Sequence, residues 1–565
     1  SGEVILGASN SIAGDILIDV TGDISLSNSS SIASTLGFQS EGEAGNIAIF
    51  SQNLSLDNSS SINASTSGFG NVGNIFIFVD DSVTLTNSSQ IRNNVEQGGN
   101  GIGGNIFIEA KSVSLLDGSP IGAVVFRDDP GLQLGIDRPG GRGTGGNIFI
   151  NATDFVLISG VSDLGFSSEI IASTERDARG NAGLIEINTG NLLIEKGGTI
   201  NTITSNEGNA GLIRINANSL NITEGGQILN TTRDSGDAGD IILNIAEKIN
   251  IAGEDPTFTA RIQEFGEDVV NNQSEKSGIF ANTTQNSTGD GGNITITNPN
   301  EIILTSGSRI QASSEGLGNG GRISITGDNL DLRDNAEISA FTFSGTGGEI
   351  DFNLSELLII RDDSAITAQA FEDANGGNLD IQALLVALLG NSRIEATAER
   401  GDGGFISFTT DGLLVSTDSI IDASSDTGTD GVVETNTPDI DPSQGLIQLP
   451  QNVIDANELV AQNACQEGEE SSLIVTGKGG LPPNSNPTTA KTDLTEVELI
   501  PWQEEPETEI ENETEEIPSE VNPDSSLKPA KGWVVNEQGE IFLVSYNPTD
   551  KAVRRNTNIP QCQPK

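Results

Sequence analysis

Histidine and methionine are absent from this 565-residue sequence, tyrosine occurs once and tryptophan twice. Without histidine, the chain lacks the commonest general base, the commonest zinc ligand and the usual pH switch. Two cysteines, Cys465 and Cys562, are too few for a disulfide framework. A bond between them is one reading, and two free thiols the other. Basic residues are scarce: Lys+Arg 27 against Asp+Glu 81 gives a net charge of −54. Such a chain repels phosphate backbones, so no nucleic-acid partner is expected. No long apolar run exists. The longest aliphatic stretch, Ala383–Leu389, is far below the roughly 20 residues a membrane helix needs, so no transmembrane segment is expected. Proline is only 19, and the glycines follow no three-residue period, which excludes collagen. The first residue is Ser1 and no charged-then-apolar leader follows, so a processed chain or C-terminal fragment is expected.

Glycine is plentiful, at 68 residues, and it recurs in a phrase. GDILI begins at Gly14 and GNIAI at Gly45. GNIFI follows at Gly73, Gly104 and Gly146, then GLIEI at Gly183, GLIRI at Gly211 and GDIIL at Gly239. GNITI (Gly292), GRISI (Gly321), GEIDF (Gly348), GNLDI (Gly377) and GFISF (Gly404) make thirteen copies, spaced 31, 28, 31, 42, 37, 28, 28, 53, 29, 27, 29 and 27. The second residue after each glycine is Ile in twelve copies and Leu379 in the other; the fourth is Ile, Leu or Phe; the third is free. Apolar, free, apolar is the two-residue period of a strand with one buried face. A second short strand follows, as in Leu54–Leu56 and Leu330–Leu332. A third reads Ile-x-Ala: Ile310/Ala312, Ile338/Ala340, Ile366/Ala368, Ile394/Ala396 and Ile421/Ala423. The small alanine marks a tight corner, and Gly, Asn, Asp and Ser close each unit as turn formers.

The fold class predicted is all-β: a right-handed parallel β-helix of about 28 residues and three strands per coil, with a small C-terminal α+β tail. Inward residues of one coil then stack on those of the next, and stability belongs to neighbouring coils rather than to any single one. The rod is assigned to residues 1–430 and a C-terminal cap to 431–480. A Pro/Glu-rich linker, expected to be disordered, takes 481–530, and a hairpin segment 531–565 turns at Asn536–Gly539. The three long spacings, 42, 37 and 53, are insertions that project from the rod and are the natural places for a binding surface. One contains Arg127–Asp128–Asp129 and Asp137–Arg138; another runs from Glu254 to Lys276.

Several motifs carry less than their spelling suggests. GxGxxG occurs at Gly99/Gly101/Gly104, Gly141/Gly143/Gly146 and Gly316/Gly318/Gly321, but a strand follows each time where a dinucleotide site needs a helix. Asp237, Asp290 and Asp402, on stacked turns, are candidates for weak Ca²⁺ binding, with solvated surface charge the competing reading. Millimolar Ca²⁺ is expected to raise the melting temperature slightly; calorimetric scans that coincide with and without EDTA would remove the idea. Asn-x-Ser/Thr sequons arise from composition and receive no function. No catalytic, cofactor-binding or metal-ligating residue is assigned, and no resident cofactor is expected.

The repeats GGNIFI, GGNITI and GGNLDI resemble the haemagglutination-activity repeats of filamentous-haemagglutinin-like exoproteins of the two-partner secretion route. Gln448–Ala456, Ser472–Pro483 and Gly532–Gly539 resemble the C-terminal region of the cyanobacterial, S-layer-labelled members. The resemblance implies export through an outer-membrane transporter partner, localisation outside or on a Gram-negative, cyanobacterial cell, and a role as a non-enzymatic adhesin or structural rod that meets glycans or surfaces. The family's Asn-Pro-Asn-Gly motif has no counterpart; Asn298–Pro299–Asn300 comes nearest, with Glu301 in place of glycine inside a repeat. The rival reading is a polysaccharide-cleaving β-helix, lyase or glycosidase, using Arg127, Asp128, Asp129, Asp137 or Arg138, since such chemistry needs paired carboxylates or a Ca²⁺ site beside a base.

Overall fold

Period-2 segments separated by small-residue turns and repeated at a near-constant length hide their apolar faces together by coiling. The computed structural model describes residues 10–127, 139–267 and 269–437, and the strands Gly532–Val535 and Ile541–Val544. Residues up to Ile440 form one unit and those from Asp441 another. The first unit is a parallel β-solenoid built on a 20-stranded and a 13-stranded sheet. All repeat-to-repeat pairings are parallel and in register: Ile75, Ile106, Ile148, Ile185, Ile213 and Ile241 follow one another up a single ladder.

The thirteen expected first strands are joined by a fourteenth, Val432–Asn436, paired to Phe405–Thr409. The ladder therefore continues past residue 430. Val433 and Thr435 stand where the other copies have Ile or Leu and Ile, Leu or Phe, which hid this copy from the pattern. In seven coils, Ile106–Leu116 among them, the first and second strands merge into one 11- or 12-residue strand. A register shift, as after Ala110 and Ala217, bends that strand and turns the alternation over, so both halves face the same core.

The narrow sheet carries the Ile-x-Ala segments. Its isoleucines form one unbroken column: Ile32, Ile62, Ile91, Ile121, Ile170, Ile200, Ile228, Ile279, Ile310, Ile338, Ile366, Ile394 and Ile421. The eleven inner members are fully buried, and the first and last only partly. Between second and third strands, Asn58–Ser59, Asn87–Ser88 and Asp362–Asp363 form two-residue corners with φ of 52 to 61° at both positions, the left-handed region that Asn, Asp and Ser tolerate at turns and that takes the chain from the broad sheet to the narrow one. After the narrow strand, one residue per coil continues a bridge ladder, from Leu36 and Thr66 through to Ser425.

The repeat glycine has a cause other than turn formation. A Cβ built on Gly73, Gly104, Gly146, Gly183, Gly211 or Gly239 would fall 1.7 to 2.1 Å from the carbonyl oxygen of the repeat glycine one coil below. The glycine's N–H also bonds back to the alanine of its own coil, as in Gly321 to Ala312 at 2.9 Å and Gly404 to Ala396 at 2.7 Å. Glycine and alanine thus make one corner in which neighbouring backbones touch. Where Asn230 replaces the alanine, its amide bonds the Gly239 N–H and the Gly211 and Asp240 carbonyls.

Asn298–Pro299–Asn300 forms the bend between Ile294–Thr297 and Glu301–Thr305. The GxGxxG glycines lie in turns that lead into strands. Among the described residues the single α-helix is Phe258–Phe265, and no helix is long and apolar enough to cross a membrane. Gly532–Val535 and Ile541–Val544 pair antiparallel, with Trp533 opposite Leu543. The stretch read as a cap begins with the fourteenth strand of the rod, Val432–Asn436; the rest of it from residue 438, the linker and both cysteines lie outside the described residues.

Candidate functional site

The second and third insertions leave the same corner of their coils. Gly160–Ser168 links Ile148–Ser159 to Glu169–Ile171 and closes on itself through a Val161/Ser167 bridge. Gly253–Ser277 links Ile241–Ala252 to Gly278–Phe280, closes through a Glu254/Lys276 bridge and contains the helix.

The longer insertion is pinned by a buried ion pair. Arg261 donates to the Asp255 carboxylate at 2.5 Å, both side chains only 6% exposed. The same guanidinium reaches the Gly165 carbonyl at 3.3 Å and Asn272 Oδ1 at 3.3 Å. Asn272 accepts from Ser167 Oγ and donates to the Gly197 and Gly225 carbonyls, so one amide spans three coils. Gln227 adds bonds to the Ser274 and Lys276 carbonyls. Phe265 lies against Gly165, where a Cβ would stand 2.4 Å from the ring. Beneath, Ile203, Leu229 and Phe280 form a small buried cluster apart from the main core.

Two of the insertions then contribute to one cleft of about 290 Å³. Phe166 comes from the second, and Val269 and Asn271 from the third; Glu175, Arg176, Asn201 and Arg233 are supplied by the coils, as are Phe126 and Arg127, which hold the places of Glu175 and Arg176 one coil earlier. The Arg127 N–H donates to Glu175 Oε2 at 3.1 Å. Asn201 accepts from Ser173 Oγ at 2.8 Å. Behind these groups, Glu169 Oε2 accepts from Asn201 Nδ2 at 2.9 Å and Asn271 Nδ2 at 3.4 Å. Burial pushes the Glu169 carboxyl up to about 7, against the pull of the two amides. Glu175 adds a smaller upward push through its charge.

Because the folded pKa exceeds the ordinary 4.5, Glu169's contribution to stability is complete below about pH 4.5 and is lost as pH rises through 7. Glu169→Gln keeps an oxygen for both amides and removes the charge. At pH 8 it is expected to stabilise the insertion by as much as about 3 kcal/mol, and at pH 4 by almost nothing. Hydrogen exchange of the 253–277 amides at the two pH values checks this; equal protection of wild type and variant at pH 8 would contradict it.

Of the residues singled out by sequence, Arg127 is in the cleft, while Asp128, Asp129, Asp137 and Arg138 lie outside the described residues. Asp237, Asp290 and Asp402 are not brought together as a ligand set. Each is a rung acceptor: Asp237 for the Asp290 N–H, Asp290 for Asn319, and Asp402 for the Thr429 N–H, which holds the Asp402 carboxyl below its usual range. Among the described residues no group of three Cys, Asp or Glu is placed to hold a metal ion. Sequence reasoning missed Glu169, Glu175, Arg176, Asn201, Arg233 and Asn271. The available signal was Ile171, Ile203, Leu229 and Phe280, apolar at places where other coils carry polar residues.

No protein-family model and no curated protein matches the chain. Among solved structures, the crystal structure of the HMW1 secretion domain from Haemophilus influenzae is similar over 73% of this chain and 94% of that one, at 14% identity and a TM-score of 0.26.

Proposed function

We propose that this chain is an exported, surface-associated adhesin or structural rod of the filamentous-haemagglutinin type, which holds glycans or cell surfaces without turning them over. The observation that carries the reading is that the second and third insertions leave the same corner, bond to each other and meet at one cleft. Insertions tolerated at random would scatter along the solenoid. An outer-membrane transporter of the two-partner kind would deliver the chain outside a Gram-negative cell. Each coil that emerges would add its apolar face to the last, favouring onward movement. A glycan-array and cell-surface binding screen on the purified chain tests this. At least one glycan or cell surface is expected to be bound by the chain and lost when Gly253–Ser277 is replaced with a short turn, in a rod that still melts cooperatively. A chain that binds neither glycan nor cell would overturn it.

The Glu169 carboxyl, raised beside a second carboxylate, gives the cleaving reading its one structural argument. Against it, Glu169 sits behind Asn201 and Asn271 rather than on the cleft surface. Release of reducing ends from acidic or neutral polysaccharides, lost in Glu169→Gln, would favour cleavage.

A further inference from the structure

The bend of the broad sheet carries a second surface, independent of the cleft. Just before the bend, Asn151, Asn188, Asn216 and Asn244 hold the same outward register in successive coils. Their amides bond in series: Asn188 Nδ2 to Asn151 Oδ1 at 2.8 Å, Asn216 to Asn188 at 2.7 Å and Asn244 to Asn216 at 3.4 Å. Asn298 extends the series to Asn244 at 2.5 Å. A primary amide has two N–H donors and two oxygen lone pairs. The ladder takes one of each from Asn188 and Asn216, while Asn244 Oδ1 accepts from both Asn298 and Thr297; the rungs are exposed or half-exposed. Asn188 and Asn216 thus each leave one donor and one acceptor to solvent, repeating at the strand spacing of roughly 4.8 Å.

Beyond the bend runs an open groove of about 790 Å³. Leu157 and Leu193 make an apolar step in it, and Asn250 Nδ2 bonds Asn221 Oδ1 at 2.6 Å to form a second short amide ladder. Its charged side chain, Lys248, is paired with Glu301 at 2.8 Å. The groove is therefore electrically neutral on a chain of net charge −54.

We infer that this face binds a linear, neutral polysaccharide lying along the rod axis. The ladder repeats at about the length of one pyranose ring in an extended chain, and its free donor and acceptor match a pair of sugar hydroxyls. The leucines suit the apolar C–H faces of the rings, and the field of the chain repels acidic polymers. A peptide strand would need unpaired backbone groups, which the face of a sheet does not offer.

This inference deepens the glycan-binding reading but uses different residues, so the two can fail separately. The test is binding of the full chain to cello-oligosaccharides of increasing length and to an unbranched β-glucan, with alginate as the acidic comparison. Affinity is expected to rise with oligosaccharide length over the first four or five units and to be insensitive to salt. Asn188→Ala with Asn216→Ala should weaken it at least tenfold, and Asn221→Ala should weaken it separately. Replacement of Gly253–Ser277 in the cleft should leave it unchanged. Thermal melts confirm that each variant folds. Length-independent binding, a preference for alginate, no binding of neutral chains, or full affinity in both ladder variants would each overturn the inference. Loss of β-glucan binding in the cleft variant alone would assign it to the cleft and remove this groove.

Discussion

Gly211→Ala is expected to break the array, while Gly14→Ala leaves it intact. Both residues open the same phrase, and neither has a positive φ. They differ in what lies below. A Cβ on Gly211 would meet the Gly183 carbonyl oxygen at 1.8 Å, and one on Gly14 meets none of the described residues within 4 Å. A methyl group cannot fit at that distance, and the obstacle is backbone, which yields only if two coils part. Parting them breaks parallel hydrogen bonds on both sheets at once. The cost should be at least about 3 kcal/mol, at the top of the range for overpacking, and it should be felt in the adjoining coils first. Urea unfolding followed by hydrogen exchange gives both numbers. If Gly211→Ala proves as silent as Gly14→Ala, close approach is not what selects glycine here.

Arg261→Ala should release the long insertion and leave the solenoid standing. Removing the guanidinium strands the Asp255 carboxylate in a nearly dry site and takes one partner from Asn272. Breaking a buried pair in this way costs roughly 3–5 kcal/mol, more than a 25-residue excursion held by a few side-chain bonds withstands. Chymotrypsin is then expected to cut at Phe258 and Phe265, which the intact chain protects. Ligand capture by the cleft should disappear with the same variant, since Val269 and Asn271 leave with the insertion. Arg261→Met combined with Asp255→Leu removes both charges and should recover most of the protection. Equal cleavage of the single and double variants would show that shape, not the unpaired charge, is responsible.

The solenoid was legible because its determinants are local and repeated. The column Ile310, Ile338, Ile366 and Ile394 follows from a period of 28 residues and one buried face. The alanine corner follows from size. Two features were less legible. The merger of strands in coils such as Ile213–Thr223 depends on a register shift that the pattern of apolar residues does not encode. The fourteenth strand uses Val433 and Thr435 and resembles a turn-rich tail. The cleft was legible only as a set of excess lengths. Glu169 and Asn201 stand on neighbouring strands of the narrow sheet and meet Asn271 of the long insertion, and no spacing along the chain announces that contact.

The isoleucine column has a consequence for descent. Every inner coil shows its neighbours the same upper and lower contact, so the contact does not record which coil made it. A gene that gains or loses one whole unit by unequal crossing-over restores Ile on Ile and Gly on Gly, and only the length alters. A gain of half a unit sets strands against turns and is discarded. Growth in whole steps is therefore the cheap path for this lineage, and related chains should differ in height far more readily than in cross-section.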